Sequence, residues 1–288
     1  MTEVTDPSAE PQDRRGLRWW KEVLFAVGVY VVYSFVRNQF GSAGGDPGPA
    51  FDHAQQIIDL QDAMGLYFED AVQQWYLRLP ANGLIRLWNV YYGLAHFLVT
   101  FAALVWLFRR DPHRYPLWRN TLAFTTCLAV VGFATYSLMP PRLLDDPGRY
   151  GACQIYAPEA AAAAEPGALT AEGCDRFGFV DTIATYGGWI AFGTEGLEDV
   201  SNQYAAMPSM HIGWSTWSAL VLFPMVRRRW LRAVVAAYPA ITLVCIIVTA
   251  NHYWIDGVGG LLCLGAGYAV ARVVTRRTTR APVGSTTG

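Results

Sequence analysis

The sequence has few charged residues for its length. Only 16% of its 288 residues are Asp, Glu, Lys or Arg, whereas 53% are hydrophobic and 11 are Trp. Soluble globular domains carry about 25% charged residues. The composition therefore argues against a soluble domain and indicates an integral membrane protein. The net charge of −1 says little, because the charges are unevenly distributed along the chain.

The N-terminal region lacks the features of a cleavable signal peptide. Its first apolar run, residues 23–36, follows a tail of mixed charge and is not followed by a small-x-small cleavage site. We therefore expect residues 1–18 to form a disordered cytoplasmic tail and residues 20–36 to form a first membrane span.

Long apolar runs predict an all-α, polytopic bundle of six membrane-spanning helices. A span needs about 20 residues to cross the hydrocarbon core, and runs of roughly this length occupy residues 20–36, 84–108, 117–138, 208–226, 231–250 and 254–274. This divides the chain into the N-terminal tail, a six-helix membrane domain at residues 19–275 and a cytoplasmic C-terminal tail at residues 276–288.

Two connecting regions follow other patterns. In residues 51–75, apolar side chains recur at helical spacing among acids and glutamines, which predicts one or two helices lying on the membrane surface. Residues 139–207 are rich in Gly, Ala and Pro, which predicts a long irregular loop with a short helix at residues 179–190.

The arginines predict the orientation of the bundle. Twelve arginines and a single acid, Asp111, lie in the link between the second and third spans, the link between the fourth and fifth spans, and the C-terminal region. The loop at residues 139–207 instead has ten acids and three arginines. By the positive-inside rule, this loop faces outward and both termini are cytoplasmic. We expect a plasma membrane location.

The sequence has only five cysteines. Cys127, Cys245 and Cys263 fall within predicted spans, where we expect them to act as small apolar residues. Cys153 and Cys174 both lie in the long outer loop. Because an oxidising exterior favours pairing, we predict a disulfide between these two, with two free thiols as the alternative.

Three ionisable residues lie at the ends of apolar spans, where such groups are costly unless they are used. His252 and Asp256 are four residues apart, so in a helix the carboxylate would hold one ring nitrogen and leave the other free. A free, oriented imidazole is a nucleophile or base, and His211 across the cleft would then protonate a leaving group. This set suits phosphoryl transfer without a metal or cofactor.

The start of the fourth span has the features of an anion site. Pro208 opens the span, and the free N–H groups and helix dipole that follow favour a phosphate near His211. Ser209 is placed to donate a further hydrogen bond, with simple helix capping as the alternative. Arg86, near the outer end of the second span, either binds the phosphate or extends to lipid headgroups.

Other interpretations of these residues remain open. Two His and one Asp are also a partial zinc site, although neither a fourth ligand nor a glutamate base is evident nearby. His96 lies about 18 Å into the second span at 1.5 Å per residue, where we expect a hydrogen bond to a neighbouring helix. Tyr253 is a candidate for substrate binding or for the interfacial aromatic belt. A transporter with a proton relay is disfavoured, because no internal repeat is evident.

The two histidine motifs resemble the signature pair of the type-2 phosphatidic acid phosphatase superfamily. They read Ala-Ala-Met-Pro-Ser-Met-His at residues 205–211 and Asn-His-Tyr-Trp-Ile-Asp-Gly at residues 251–257. The His-Tyr-x-x-Asp form, Pro-Pro-Arg at residues 140–142 and Gly-Phe-Val-Asp-Thr at residues 178–182 are similar to the branch of the inositol phosphorylceramide synthases and their bacterial relatives.

The resemblance implies a mechanism and a lipid substrate. His252 would attack phosphorus to give a phosphohistidine, Asp256 would orient it, His211 would protonate the leaving oxygen, and Arg142 would bind the phosphate. Phosphatases of this superfamily usually carry an arginine six residues before the second histidine, where this chain has Ile246.

This departure favours a lipid phosphotransferase, because the inositolphosphotransferase-like branch also lacks the arginine motif. We therefore expect transfer of a phosphorylated headgroup, such as inositol phosphate, from a phospholipid to a lipid alcohol. Hydrolysis of a lipid phosphate or a polyprenyl (pyro)phosphate is the alternative. The expected partners are the bilayer and its lipids, with no nucleic acid, and the site would lie on the extracytoplasmic face.

Overall fold

A computed structural model describes residues 18–24, 27–28, 31, 46–80, 82–165, 167–187 and 203–280. Outside these residues lie residues 1–17 of the predicted N-terminal tail, most of the predicted first span, residues 188–190 of the predicted short helix and residues 281–288 of the C-terminal tail. The described residues contain no β-strand, and a single isolated bridge pairs Leu138 with Ala205. The prediction of an all-α fold is therefore confirmed for the described part of the chain.

The helices from residue 46 onward are numbered in chain order. They are α1 (Pro47–Ala63), α2 (Glu69–Leu77), α3 (Ile85–Arg110), α4 (Tyr115–Thr135), α5 (Cys153–Tyr156), α6 (Pro158–Ala163), α7 (Thr182–Tyr186), α8 (Met210–Leu222), α9 (Arg229–Val248) and α10 (Trp254–Arg280), with short 3₁₀ turns at Asn82–Leu84 and Pro141–Leu143.

Four of these helices are long and apolar enough to cross a membrane. They are α3, α4, α9 and the part of α10 up to Arg276. Large apolar side chains on them point outward, among them Leu87, Phe101 and Leu262, which are 63%, 68% and 70% exposed. Such surfaces are unfavourable in water and suited to lipid. The chain is a multi-pass membrane protein.

The prediction of six spans is not confirmed. The predicted first span lies mostly outside the described residues, and the predicted fourth span forms α8, which has 13 residues. At 1.5 Å per residue α8 is about 20 Å long, which is short of the roughly 30 Å of a hydrocarbon core. Pro208 precedes α8 and Pro224 follows it. Proline is tolerated at the start of a helix, but within a helix it removes a backbone hydrogen bond and clashes with the preceding turn, so α8 does not continue through Pro224.

Helix α8 is the central helix of the described bundle. It contacts α3, α4, α9 and α10, and its Trp217 and Val221 side chains are fully buried. An apolar run that protein surrounds has the same composition as one that lipid surrounds. This is why α8 resembles a full span in the sequence.

Two glycines bring α10 close to its neighbours. A Cβ atom at Gly260 would clash with the backbone oxygen of Ser209, and one at Gly267 would lie 2.6 Å from Thr125 Oγ1. Small residues let helix backbones approach closely in this way. The contact at Gly260 holds the start of α8 against the first part of α10.

The outer loop and the helices before α3 form a cap over one end of the bundle. Helices α1 and α2 confirm the prediction of one or two helices in residues 51–75. Phe51 and Ile57 of α1 pack with Leu138, Leu144 and Phe179 in one buried cluster. The predicted short helix in the outer loop is α7, which is limited to five residues.

The cap also contains the predicted disulfide, between Cys153 and Cys174. The other three cysteines are free, as predicted.

Candidate active site

A tight turn after α9 positions His252. The backbone N–H groups of Asn251 and His252 both point to the carbonyl oxygen of Ile246, at 3.0 and 3.3 Å. Ala250 adopts a left-handed φ of 52°, the conformation that commonly ends a helix by returning N–H groups to its last carbonyls. The turn therefore reverses the chain just before α10.

His252 and Asp256 are in contact, as the sequence predicts. The Nδ1 atom of His252 lies 3.2 Å from Asp256 Oδ2 and 2.8 Å from the carbonyl oxygen of Ala206. Both neighbours are acceptors, so Nδ1 carries the proton and Nε2 presents a lone pair. Burial lowers the pKa of His252 to about 4, and the charge of Arg142 acts in the same direction. The ring is therefore neutral at neutral pH.

The contact does not arise in the way the spacing suggests. His252 lies two residues before α10, and Asp256 lies in the first turn of that helix. Asp256 Oδ2 also accepts a hydrogen bond from the N–H of Tyr253, at 3.0 Å. This backward reach of an acid to the residue before the helix is one half of a capping box. One fully buried carboxylate thus fixes both the helix start and the imidazole.

His211 faces His252 across the junction of α8 and α10. Its Nδ1 atom is 3.3 Å from His252 Nε2, and its Nε2 atom is 3.2 Å from the carbonyl oxygen of Tyr92. The Tyr92 ring stacks on the His211 ring, with centroids 4.2 Å apart and planes 17° apart. When His211 is protonated, each of its nitrogens therefore has an acceptor.

His96 lies beside this pair, on the inner face of α3. Its Nδ1 atom is 3.0 Å from the same Tyr92 carbonyl oxygen, and its ring centroid is 4.2 Å from that of His211. The expectation of a hydrogen bond to a neighbouring helix is wrong. His96 instead bonds one turn back along its own helix, and its contact with another helix is ring packing.

Arg142 lies next to the His252 turn. Its backbone N–H donates to the carbonyl oxygen of Ala250, at 2.8 Å. In its guanidinium, Nη1 is 2.6 Å from Asp181 Oδ2 and Nη2 is 2.5 Å from Gln203 Oε1. The buried Nε has no hydrogen-bond partner among the described residues. Sequence reasoning did not find Asp181 or Gln203 as partners, because they are 39 and 61 residues away.

Ser209 lies at the start of α8 without capping the helix through its side chain. It occupies the N-cap position, but its side chain makes no capping hydrogen bond. Its hydroxyl is buried and has no partner within the described structure. Its backbone N–H donates to the carbonyl oxygen of Asp256, at 2.8 Å. The capping alternative is therefore wrong, and a buried hydroxyl without a partner in the described structure remains at the start of α8.

Two other predicted substrate-binding residues lie elsewhere. Tyr253 is fully buried in the cap cluster, so it is not part of an interfacial aromatic belt. Arg86 is exposed, and its Nε donates to the carbonyl oxygen of Tyr186 at the end of α7, at 2.8 Å. This hydrogen bond joins Arg86 to the outer loop and not to the histidines.

Glu69 is a supporting residue that sequence reasoning missed. It is fully buried at the start of α2. Its Oε1 accepts from Gln61 Nε2 at 2.5 Å and from the N–H of Trp254 at 3.1 Å, and its Oε2 accepts from the N–H of Phe68 at 3.0 Å. A carboxylate at this point satisfies a free N–H at the start of α10.

Nothing in the sequence indicates this role of Glu69. Glu69 follows a surface-like amphipathic segment and resembles any exposed acid in the sequence.

Phosphatases of this superfamily usually carry an arginine six residues before the second histidine, and in this chain that position is apolar and has apolar surroundings. Ile246 is fully buried in a cluster with Ile212 and Ile247. Among the described residues, Arg142 is the cation whose charge acts on His252. The described residues contain no group of three or more His, Cys, Asp or Glu side chains arranged to hold a metal ion. The zinc alternative thus gains no support.

A family model for the PAP2 superfamily, the type-2 phosphatidic acid phosphatases, matches residues 55–270. The matched range contains both histidine motifs and Arg142, and it confirms the resemblance at the level of the superfamily. No curated protein and no solved structure matches the chain.

Proposed function

The chain belongs to the PAP2 superfamily, and we propose from this premise that it is a lipid phosphotransferase that works through a phosphohistidine intermediate. Membership of the superfamily indicates lipid phosphatase or phosphotransferase activity. The observation that carries the proposal is the approach of the two imidazoles, His252 Nε2 to His211 Nδ1 at 3.3 Å, with His252 Nδ1 held by Asp256.

In the first step, His252 acts as the nucleophile. Its Nε2 lone pair attacks the phosphorus of a phospholipid, an N–P bond forms, and the P–O bond to the diacylglycerol oxygen breaks. His211 donates the proton on Nδ1 to that leaving oxygen. Asp256 stabilises the positive charge that develops on the His252 ring. Since the facing nitrogens are within hydrogen-bonding distance, His211 moves aside to admit the phosphoryl group.

In the second step, a lipid alcohol replaces the first leaving group. Its oxygen attacks the phosphohistidine, the N–P bond breaks, and neutral His211 takes the alcohol proton. The guanidinium of Arg142 and the hydroxyl of Ser209 stabilise the phosphoryl oxygens in both steps. Binding of the phosphate by Arg142 competes with the contacts of Arg142 to Asp181 and Gln203.

Transfer is favoured over hydrolysis by the apolar surroundings. His252 is 4% exposed and Asp256 is 0% exposed, and the position of a second phosphate-binding arginine holds buried Ile246. A buried site that excludes water favours attack by a lipid alcohol over attack by water. Inositol phosphate is the transferred headgroup that we propose, with hydrolysis of a lipid phosphate or polyprenyl pyrophosphate as the alternative.

We place the reaction on the extracytoplasmic face of the plasma membrane. The arginine-rich turns between α3 and α4 and between α8 and α9 lie at the opposite ends of these helices from the histidines. By the positive-inside rule these turns face the cytoplasm.

The proposal is tested with purified protein and phosphatidylinositol labelled with ³²P. The reaction is run with and without a ceramide acceptor, in the presence of a metal chelator, and the lipids are separated. We expect label in a new lipid only when acceptor is present. Release of the label to water at the same rate with and without acceptor would assign the chain to the hydrolases instead.

A further inference from the structure

A polar cavity lies at the end of the bundle opposite the histidines. It has a volume of about 870 Å³ and is formed between the α3–α4 turn and the α8–α9 turn. Its lining includes Arg110, Arg114, Arg227, Asp111 and Trp106. Ligand sites in proteins commonly have volumes of about 300–1,000 Å³. The 13 residues of α8, about 20 Å of helix, separate this cavity from His211.

The cavity has an excess of positive charge. Three guanidinium groups line it against one carboxylate, and the Asp111 carboxylate lies 3.6 Å from Arg114 Nη1. Arg110 and Arg227 form no ion pair with another described residue, and both are exposed. Two cations therefore face the cavity without a neutralising partner from the described chain, which favours an anionic ligand.

The wall of the cavity favours a ligand with an apolar part. Trp106 is 48% exposed in the last turns of α3, and Met225 lies in the turn after α8. Tryptophan at the end of a membrane span prefers the level of the lipid headgroups. If the arginines hold the phosphate headgroup of a lipid, the acyl chains of that lipid would extend past Trp106 into the bilayer.

We propose that this cavity binds the phosphate headgroup of an anionic phospholipid, as a site separate from the proposed active site. Basic pockets between span ends are suited to such headgroups. A free phosphate shares the charge but not the chain, so the two sources of the anion are distinguishable. The proposal does not depend on the proposed phosphotransferase activity.

The test measures binding of phosphatidylglycerol to the purified full-length protein in a neutral detergent, with thermal stability as a second readout. An arginine that contacts the headgroup should contribute about fivefold in affinity. We therefore expect the triple variant Arg110→Gln, Arg114→Gln, Arg227→Gln to bind on the order of 100-fold more weakly. The stabilisation of the protein by phosphatidylglycerol should be lost with it.

A matched variant distinguishes binding in the cavity from a general attraction to the positive charge at this end of the bundle. Arg109→Gln, Arg228→Gln, Arg229→Gln removes the same charge from the same two turns, but these side chains do not line the cavity. It should bind phosphatidylglycerol within about fivefold of the wild type. An equal loss in both triple variants would overturn the proposal, because the attraction would then be diffuse.

Two further measurements distinguish the lipid from a free anion and the cavity from the active site. Glycerol phosphate should bind at least about tenfold more weakly than phosphatidylglycerol because it lacks the chains, and equal binding would overturn the lipid assignment. Arg142→Gln should keep the affinity for phosphatidylglycerol, whereas its loss would place the bound lipid at the active site. If the cavity triple variant does not fold, the single change Arg227→Gln in the exposed turn is expected to weaken binding about fivefold, and unchanged binding would contradict the proposal.

Discussion

The ionisable groups at the two ends of the helix bundle lie in opposite environments. At the histidine end, Asp256, His252 and Glu69 are buried, and backbone groups supply several of their hydrogen bonds. At the arginine end, Arg110 and Arg227 are exposed in short turns. Buried groups with fixed partners are preorganised for a reaction, whereas exposed cations without fixed partners are not.

The same chemical change should therefore have very different effects at the two ends. Asp256→Asn replaces the charged one of the two acceptors at His252 Nδ1, and a comparable change in a serine protease triad lowers kcat about 10⁴-fold. We expect a loss of transferase activity of about 10³–10⁴-fold with the protein still folded. Initial rates of headgroup transfer measure it.

Asp111→Asn is the matched change at the arginine end. Its carboxylate is partly exposed, and activity should stay within about twofold of the wild type because surface ion pairs contribute only about 0–1 kcal/mol. Similar losses in both variants would show that the two ends do not differ as described.

Removing a hydrogen-bond acceptor at Glu69, which supports the start of α10, should have the next largest effect. Glu69→Gln replaces one of two accepting oxygens by an NH2 group. Oε1 accepts from Gln61 and from the N–H of Trp254, and Oε2 accepts from the N–H of Phe68, so at least one donor loses its acceptor whichever oxygen is replaced. Such a loss costs about 1–3 kcal/mol, and we expect a lower Tm together with reduced kcat. Asp62→Asn, an exposed acid near the end of α1, is the control and should change neither quantity.

Removing the disulfide in the cap should affect the stability of the protein more than its catalytic rate. Cys153 and Cys174 close a loop with a sequence separation of 21, for which loop-entropy estimates give about 3 kcal/mol. Cys153→Ser with Cys174→Ser should lower Tm and leave kcat within a few fold. A large loss of kcat at a temperature where the variant is still folded would show that the loop itself shapes the site.

The smallest expected effect is on the acid side of the pH profile of kcat/KM. Burial lowers the pKa of His252 to about 4 from an ordinary value near 6.5. Because a depressed pKa keeps the nucleophile neutral, kcat/KM should not fall between about pH 7 and pH 5 through protonation of His252, and the loss should begin only near pH 4. An acid limb with a midpoint near 6.5, the ordinary value, in a protein that remains folded would contradict this effect of burial.

Local patterns predict the parts of the site that depend on short separations. The apolar runs locate α3, α4, α9 and α10, and the four-residue spacing locates the contact of His252 with Asp256. The two cysteines outside the apolar runs predict the disulfide. Each of these inferences needs only composition or near neighbours in the chain.

The sequence could not reveal what depends on packing between distant elements. Helix α8 resembles a full span because protein and lipid both favour apolar side chains. Glu69 resembles a surface acid until α10 is packed against α2, and Arg142 finds its partners across the outer loop. The expected hydrogen bond from His96 to another helix is wrong, because the sequence does not show that the first turn of α8 packs beside His96 in the bundle.

The most direct test of the central claim is to compare the two histidine variants on two leaving groups. His252→Ala should abolish transfer from both a phospholipid and an aryl phosphodiester, and no acid-labile, base-stable ³²P should be trapped on the protein. His211→Ala should lose the phospholipid reaction by about 10²–10⁴-fold but recover most activity on the aryl ester, whose leaving group needs no proton. An aryl ester that rescues His252→Ala while His211→Ala stays inactive would contradict the account by exchanging the two roles.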